Sequence, residues 1–336
     1  MTFYLVKRLI LALFTLLTIL FLSYVLLRLA PGDPTRSSFL SADGGAGVSS
    51  ADKAEWARNE ALRAKLKLDE PILRGFAEWL GQVVRRGDFG TSATVEPGRP
   101  VAAMILERLP VTVKLNLLAI FLTYVLAIPI GVFSAVRPDR VFDWSATAMM
   151  FLLYSLPVMW AGLMLQALFC AGGKWPIFPL KGLAPYNGEL STFGALAQSL
   201  FYYCLPVICL AYAGLAGLAR YTRASMLEVL HQDYIRTARA KGLGPGAIVW
   251  VHAFRNSLIT LITLFSGLLP GLVAGSIIVE HIFNVPGMGT LSLLALSSRD
   301  YPLQMALFAF AGMLTLLGIL LADLCYMWVD PRIKLR

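Results

Sequence analysis

The chain has 336 residues, of which 57% are hydrophobic and only 15% are charged, and its mean hydropathy is +0.69. Because ordinary soluble domains carry about 25% charged residues, this composition excludes a soluble globular protein of the usual kind. The net charge of +9 would suit a nucleic-acid-binding protein. However, the Lys and Arg residues lie between long apolar blocks, which indicates a membrane topology.

Six windows of the sequence contain no charged residue, and each is close to or above the roughly 20 residues that a bilayer-spanning helix needs. They are Leu9–Leu27, Leu115–Val136, Trp144–Gly173, Leu190–Ala219, Asn256–Val279 and Tyr301–Ala322. None alternates in the way that a transmembrane strand does. The sequence therefore predicts an all-α membrane protein with six transmembrane helices.

The first window resembles a secretory signal peptide, because Lys7 and Arg8 precede an apolar run. The run is long, however, and continues into Arg28-Leu-Ala-Pro-Gly-Asp-Pro34 without a small-residue cleavage site. We therefore expect residues 1–29 to be an uncleaved first transmembrane helix.

Residues 30–100 form the large polar region of the chain. Ala51–Leu68 is rich in helix formers, and Ile72–Val84 places apolar residues such as Phe76 and Trp79 at three- and four-residue spacing. This spacing predicts an amphipathic helix. We expect an extracytoplasmic region with short helices, either packed as a cap on the membrane surface or used as a docking face.

Residues 101–336 are predicted to form a five-helix core. Four of its helices contain a proline, namely Pro129, Pro157, Pro206 and Pro270. Proline removes a backbone hydrogen bond and bends a helix, and bent helices leave space between them. These prolines are compatible with a solute path, although proline is also simply common in membrane helices.

The fifth predicted helix carries Gly267, Gly271 and Gly275 at four-residue spacing. Such a stripe allows close packing of helices, and it also leaves room for a passing solute. Glu280 lies toward the end of the same helix, where it either contacts solute or forms hydrogen bonds at the membrane interface. Both alternatives stay open for the stripe and for Glu280.

The distribution of basic residues predicts the orientation. With the N-terminus inside, the inner loops and the C-terminal tail hold Arg137, Arg140, Arg220, Arg223, Arg236, Arg239, Lys241, Arg255, Arg332, Lys334 and Arg336. The two short outer loops hold only Lys174, Lys181 and Arg299. Since cytoplasmic loops are enriched in Lys and Arg, both termini are predicted to be cytoplasmic and no nucleic-acid partner is expected.

The sequence contains no pattern for catalysis or for metal binding. It has no phosphate-binding Gly-x-x-x-x-Gly-Lys loop, no His-Glu-x-x-His and no Gly-x-Ser-x-Gly. The four cysteines lie in or beside apolar windows, and ionisable residues are nearly absent from the centres of the windows. The chain is therefore not expected to be an enzyme, nor to hold a metal or cofactor itself.

A proton- or ion-coupled carrier usually needs ionisable groups in mid-membrane, so a transporter of this composition would need a separate motor. One alternative is a self-sufficient channel or secondary carrier, which would function in vesicles without ATP. Another is a structural membrane subunit or receptor without a solute path.

One basic segment, Asp233–Gly242, lies between the fourth and fifth windows, within the predicted inner loop 220–257. It reads Asp-Tyr-Ile-Arg-Thr-Ala-Arg-Ala-Lys-Gly. Helix formers followed by Gly242, Gly244 and Gly246 predict a short basic helix and a glycine turn before the chain returns to the membrane. By composition alone, such a segment could also lie on the membrane and attract anionic lipid.

This segment closely resembles the cytoplasmic coupling loop of membrane subunits of bacterial ABC importers, in the branch for dipeptides, oligopeptides and nickel. Further segments also resemble that family, and they follow one another along the chain in the same order as in its members. They are Ala30-Pro-Gly-Asp-Pro34, Leu68-Asp-Glu-Pro71, Gly87-Asp-Phe-Gly-Thr-Ser92, Glu107-Arg-Leu-Pro110, Phe283-Asn-Val-Pro-Gly-Met-Gly289, Arg299-Asp-Tyr-Pro302 and Asp330-Pro-Arg-Ile333. Together they extend over nearly the whole chain.

The resemblance implies a type I importer permease fold in the bacterial inner membrane, with a coupling helix that sits in a cleft of an ATP-binding subunit. Ala238 and Gly242 match the second alanine and the glycine of the general loop motif, whereas Arg236 and Thr237 stand in place of its Glu and first Ala. The implied coupling residues are Arg223, Glu228, Asp233, Tyr234, Arg236, Thr237, Ala238, Lys241 and Gly242.

The implied partners are a second related permease subunit, two ATP-binding subunits and an extracytoplasmic solute-binding protein. ATP and Mg²⁺ would be bound by the ATP-binding subunits and not by this chain. Peptide is the preferred solute, because no cluster of His or carboxylate residues marks a nickel path in the sequence. Nickel or another small solute is the alternative.

Overall fold

The computed structural model describes residues 2–29, 70–170, 172–180, 182, 192–268, 271 and 276–329. These residues form helices, together with two isolated β-bridges, Thr91–Pro100 and Cys170–Phe178. The helices are α1 (Thr2–Leu29), α2 (Ile72–Arg86), α3 (Val101–Val136), α4 (Val141–Ser155), α5 (Val158–Phe169), α6 (Thr192–Leu230), α7 (Asp233–Ala240), α8 (Pro245–Ala247), the π-helix Ile248–Phe254, α9 (Arg255–Leu268), α10 (Ile277–Ile282), α11 (Met288–Ser297) and α12 (Tyr301–Val329).

Four helical stretches of the described residues are long and apolar enough to cross a membrane. They are Lys7–Leu29, Val101–Val136, Ala197–Leu230 and Tyr301–Leu321. Helices α4 and α5 are long and apolar enough only when taken together, and they are bent by 96° at their junction, as in a broken span or a re-entrant loop. The fifth predicted window, Asn256–Val279, falls on α9 and α10 and on residues between them that are mostly outside the described part, so the count of six stays a prediction.

The bend between α4 and α5 lies at Pro157. Leu156 ends α4 in an extended conformation (φ −81°, ψ 124°), and Pro157 precedes the first residue of α5. A residue before proline is pushed out of the helical region, which explains the break. By contrast, Pro129 and Pro206 lie inside the continuous helices α3 and α6, and Pro270 lies outside the described residues.

The chain divides into two compact units. The first comprises Met1–Arg108, Leu291–Leu316 and Leu335–Arg336. Here α2 confirms the predicted amphipathic helix and packs on α1, with the Phe76 ring 5.3 Å from Phe21 and 5.7 Å from Tyr24 between ring centres. The predicted helix Ala51–Leu68 lies outside the described residues.

A buried carboxylate joins two segments of this first unit. Asp300, between α11 and α12, is fully buried and accepts hydrogen bonds from the Ser92 hydroxyl and from the backbone N–H groups of residues 93–95. Two of the family-like segments named above, Gly87–Ser92 and Arg299–Pro302, therefore meet at one side chain.

The second unit comprises Leu109–Thr290 and Leu317–Lys334. Its centre is a close crossing of α3 and α6 at Gly131. A Cβ atom at Gly131 would lie 2.5 Å from the Thr222 Cβ and 2.7 Å from the Ala219 carbonyl oxygen. Real Cβ atoms do not approach other atoms so closely, so this crossing requires glycine.

Candidate functional site

The predicted basic helix exists as α7, and two of its residues anchor it. Ile235 is fully buried, and Ala238 is 7% exposed. Both belong to an apolar cluster with residues of α3, of α6 and of the segment 248–253, among them Val132, Met226 and Ala253. One side of α7 is thus fixed to the second unit.

The other side of α7 is exposed and mainly basic. The exposed residues are Asp233, Tyr234, Arg236, Thr237, Arg239, Ala240 and the C-cap residue Lys241. Asp233 and Arg236 approach to 3.4 Å, but their side chains are 95% and 73% exposed, so solvent screens the pair. This face of α7 is therefore accessible to solvent and carries a net positive charge.

Gly242 ends α7 in a left-handed conformation, with φ +78°. Its N–H donates to the Arg239 carbonyl at 2.9 Å, and the Leu243 N–H donates to the Ala238 carbonyl at 3.3 Å. This pair of bonds is the Schellman C-cap, in which glycine is the preferred residue at the left-handed position. The predicted glycine turn is therefore confirmed, and backbone conformation is its cause.

A side-chain hydrogen bond ties α7 to α9. Asn256 Nδ2 donates to the Tyr234 hydroxyl at 2.9 Å and to the His252 carbonyl at 2.9 Å. Tyr234, a predicted coupling residue, thus joins the exposed face of α7 to the helix that follows the glycine turn.

The structure places Arg223 and Glu228 on α6, because this helix continues to Leu230 beyond the apolar window that ends at Ala219. Glu228 is exposed. Arg223 forms a bidentate ion pair with Asp143 on α4, with both N···O distances 2.7 Å. The Asp143 side chain is 5% exposed, so Arg223 serves an internal contact between α6 and α4.

Glu280 on α10 is fully buried. It accepts hydrogen bonds from the Thr112 hydroxyl and from the Thr290 backbone N–H, both at 3.0 Å. Thr112 also accepts from the Met288 N–H at 2.7 Å. The carboxylate therefore links the turn before α11 to α3. The choice between contact with solute and hydrogen bonds at the membrane interface stays a prediction.

Little of the glycine stripe can be located. Gly267 lies in α9, and Gly275 is outside the described residues. Gly271 is exposed, and its carbonyl accepts from Asn116 Nδ2 at 3.3 Å. No atom of the described residues lies within 4 Å of the position where its Cβ would be. The choice between packing and a solute path therefore stays open.

Sequence reasoning missed Gly131, Asp143, Asn256 and Thr112. Asp143 had one available signal, since it is the last charged residue before the apolar window Trp144–Gly173. The others carry no local signal, because their partners are distant in the sequence.

The long apolar helices define a multi-pass integral membrane protein. The model of the family "binding-protein-dependent transport system inner membrane component" matches residues 127–335. The chain is 39% identical over 334 residues to the oligopeptide transport system permease protein AppB of Bacillus subtilis, covering 99% of this chain and 100% of that protein.

Two further relatives match over nearly their whole length. A protein named as a peptide transport system permease in Brucella abortus is 34% identical over 334 residues, which is 99% of each chain. A protein named as a peptide ABC transporter permease in Sinorhizobium fredii is 33% identical over 332 residues, covering 98% of this chain and 99% of that protein. The chain belongs to the family of binding-protein-dependent transport system inner membrane components, whose members are permease subunits and not enzymes.

Proposed function

We propose that the chain is a permease subunit of an ATP-driven, binding-protein-dependent importer of di- and oligopeptides in the bacterial inner membrane. It would have six spans and cytoplasmic termini. The observation that carries the proposal is α7, a helix anchored by Ile235 and Ala238 that presents Arg236, Arg239 and Lys241 to solvent. The named functions of the full-length relatives support peptide as the solute.

In the proposed mechanism, α7 sits in a cleft of an ATP-binding subunit, where its cations pair with acidic groups. Its buried side belongs to the same apolar cluster as residues of α3 and α6. A displacement of α7 would therefore be transmitted to both helices. The ion pair of Arg223 with Asp143 extends this connection to α4. Closure of two ATP-binding subunits on ATP and Mg²⁺ would then shift the helices between inward-open and outward-open states.

The complex would also contain a second related permease subunit and an extracytoplasmic solute-binding protein. The binding protein would deliver solute to the outer face. The stripe Gly267, Gly271 and Gly275 is a proposed packing surface or part of the path. Glu280 is assigned a structural role instead, since its carboxylate is buried among donors of this chain.

The test is to co-express the chain with its partner subunits, to co-purify the complex and to measure peptide-stimulated ATP hydrolysis with the binding protein. The variant Arg236→Glu/Arg239→Glu reverses the charge of the α7 face without touching its buried side. The matched control is Arg85→Glu/Arg86→Glu, which reverses an exposed basic pair in the last turn of α2.

We expect the α7 variant to lose the ATP-binding subunits on purification and to lose peptide-stimulated hydrolysis, while the control keeps both. Equal retention of the ATP-binding subunits by both variants would refute the assignment of α7. Stimulation by Ni²⁺ instead of peptide would identify the alternative solute, and transport by the chain alone without ATP would establish a channel or carrier.

A further inference from the structure

A cavity of about 270 Å³ lies within the first unit. It is bounded by the last turns of α1, by α2, by the segment 89–93 and by the first residues of α12. Its apolar walls include Leu27, Phe89, Pro302 and Met305, and its polar lining includes Arg28 and Trp79. None of these residues belongs to α7 or to its anchoring cluster.

The indole N–H of Trp79 is buried, and it has no hydrogen-bond partner among the described residues. The Trp79 ring stacks on Phe76 at 6.1 Å between ring centres, and Phe76 in turn packs on α1, so the ring is held in place. A buried donor without an acceptor costs about 1–3 kcal/mol, and indole nitrogen can only donate. Trp79 also lines the cavity, so a ligand acceptor that reached the indole N–H would remove this cost.

Arg28 supplies positive charge beside the same cavity. Its guanidinium donates to the Tyr24 hydroxyl and to the Glu70 carbonyl, each at 3.2 Å, which fixes its orientation. Among the described residues that line the cavity, Arg28 is the charged one. A guanidinium carries five donors and suits a phosphate or carboxylate, so the lining favours an anion.

The surroundings favour the phosphate of a lipid over a soluble anion. Helix α1 is apolar and long enough to cross a membrane, and it ends at Leu29 immediately beside the cavity. Leu22, Leu26 and Leu29 leave 53%, 68% and 67% of their surface exposed along this helix. Trp and Arg at such an end lie at the level of the lipid headgroups.

We propose that this cavity binds the phosphate of an anionic glycerophospholipid, with Trp79 and Arg28 as donors and the acyl chains along the exposed leucines of α1. The placement of the cavity at the membrane boundary rests on the proposed function, in which α1 is the first span. The lipid would fill the cavity, and its phosphate would accept from the Trp79 indole N–H, which lacks a partner in the described part of the chain.

The test uses the purified full-length chain in mild detergent, titrated with dioleoyl phosphatidylglycerol and followed by native mass spectrometry. The variant Trp79→Phe keeps the ring and removes the donor. The matched control is Trp144→Phe on α4, where the tryptophan is 73% exposed. We expect Trp79→Phe to weaken lipid binding roughly tenfold, the effect of one lost hydrogen bond to a charged group, and the control to bind as wild type.

Arg28→Gln provides a second variant, and thermal melting of both variants verifies that they are folded. We expect Arg28→Gln to weaken binding at least as much as Trp79→Phe. Wild-type lipid affinity in both folded variants would overturn the proposal. Displacement of the lipid by inorganic phosphate or by trialanine at millimolar concentration would overturn the lipid assignment and identify a soluble anion or a peptide as the ligand.

No ATP-binding subunit, binding protein or transported solute takes part in this titration. If the wild-type complex showed no peptide-stimulated ATP hydrolysis while the purified chain bound lipid as expected, only the proposed function would be refuted. If the complex showed that hydrolysis while the folded Trp79→Phe and Arg28→Gln variants bound lipid as wild type, only the lipid site would be refuted.

Discussion

Asp300 accepts a hydrogen bond of 2.5 Å from the hydroxyl of Ser92, a residue 208 positions earlier in the chain. The same carboxylate oxygen also accepts from the backbone N–H groups of Ala93, Thr94 and Val95 at 3.0–3.1 Å. Asp300 is fully buried, so these four donors replace water around the charge. The hydrogen bonds of this one side chain join the segments Gly87–Ser92 and Arg299–Pro302.

Substituting Asp300→Asn should destabilise the chain by about 2–4 kcal/mol, because an amide accepts more weakly than a carboxylate and its NH₂ group would face donors. Thermal unfolding in detergent measures the effect. Asp88→Asn is the matched control, since Asp88 is exposed and its Oδ1 accepts from the Gly90 N–H, which an amide oxygen also does. Equal melting temperatures for the two variants would contradict the role given to Asp300.

The same carboxylate predicts a dependence of stability on pH. Burial raises the pKa of Asp300, but the donors from Ser92 and residues 93–95 outweigh burial, so the pKa lies below its usual range. A folded-state pKa below the unfolded value stabilises the fold at pH above the unfolded value of about 3.9. This contribution is lost as the pH falls from there through the folded-state pKa.

The stability difference between wild type and Asp300→Asn should therefore be constant at pH 5–7 and should shrink below about pH 4. Melting curves of both proteins from pH 7 to pH 3 measure it. A difference that stays unchanged down to pH 3 would mean that Asp300 is not the titrating group.

Much of this fold is visible in the sequence, because charge-free windows and helical spacing are local signals. They predict the long apolar helices, the amphipathic α2 and the basic α7 with its glycine turn. The charge at Arg220 predicts the start of a loop, yet α6 continues to Leu230. A charge marks where an apolar window ends, and the backbone hydrogen bonds of the helix do not depend on it.

Long-range pairings were not visible in the sequence. The contact of Ser92 with Asp300 requires two segments to meet, and the burial of Glu280 requires donors from Thr112 and Thr290. Spacing within a window carries no information about such partners. For the same reason, the sequence could place Arg223 near α7 but could not show that Arg223 forms an ion pair with Asp143 on α4.

The ion pair of Arg223 and Asp143 should show strong coupling in a double-mutant cycle. Arg223→Gln leaves a nearly buried carboxylate without its cation, which should cost about 3–5 kcal/mol. The double variant Asp143→Asn/Arg223→Gln should lose less than the sum of the single variants, because no unpaired charge remains. Thermal unfolding of the four proteins measures the coupling.

Arg74→Gln is the control for this cycle, since Arg74 pairs with Glu78 at 3.1 Å while 71% exposed. Its melting temperature should match wild type, as expected of exposed pairs. Strict additivity at Arg223 and Asp143 would show that the observed geometry contributes nothing to stability.

The close crossing of α3 and α6 at Gly131 should be destabilised by even the smallest side chain. Gly131→Ala would place a Cβ against Thr222 and the Ala219 carbonyl of α6, and such overpacking typically costs about 1–3 kcal/mol. Gly217→Ala on α6 is the matched control, because no atom lies within 4 Å of its Cβ position and alanine favours helix. Thermal unfolding should show a loss for the first variant and none for the second. The reverse order would contradict the close crossing.

Gly242 and Gly244 allow backbone strain to be separated from steric contact. In the described part of the chain, no atom lies within 4 Å of the Cβ position of either glycine. However, Gly242 has φ +78° whereas Gly244 has φ −66°. Gly242→Ala should therefore cost about 1 kcal/mol through its left-handed conformation, and Gly244→Ala should be tolerated. Hydrogen exchange of the α7 amides should rise in the first variant only.

The same two variants test the link between this turn and assembly. If α7 docks on an ATP-binding subunit, fraying of its C-terminal end should weaken co-purification of that subunit with Gly242→Ala and leave Gly244→Ala unaffected. Faster exchange in Gly242→Ala with unchanged co-purification and ATP hydrolysis would limit the glycine to a structural role. Equal exchange in both variants would refute the conformational requirement itself.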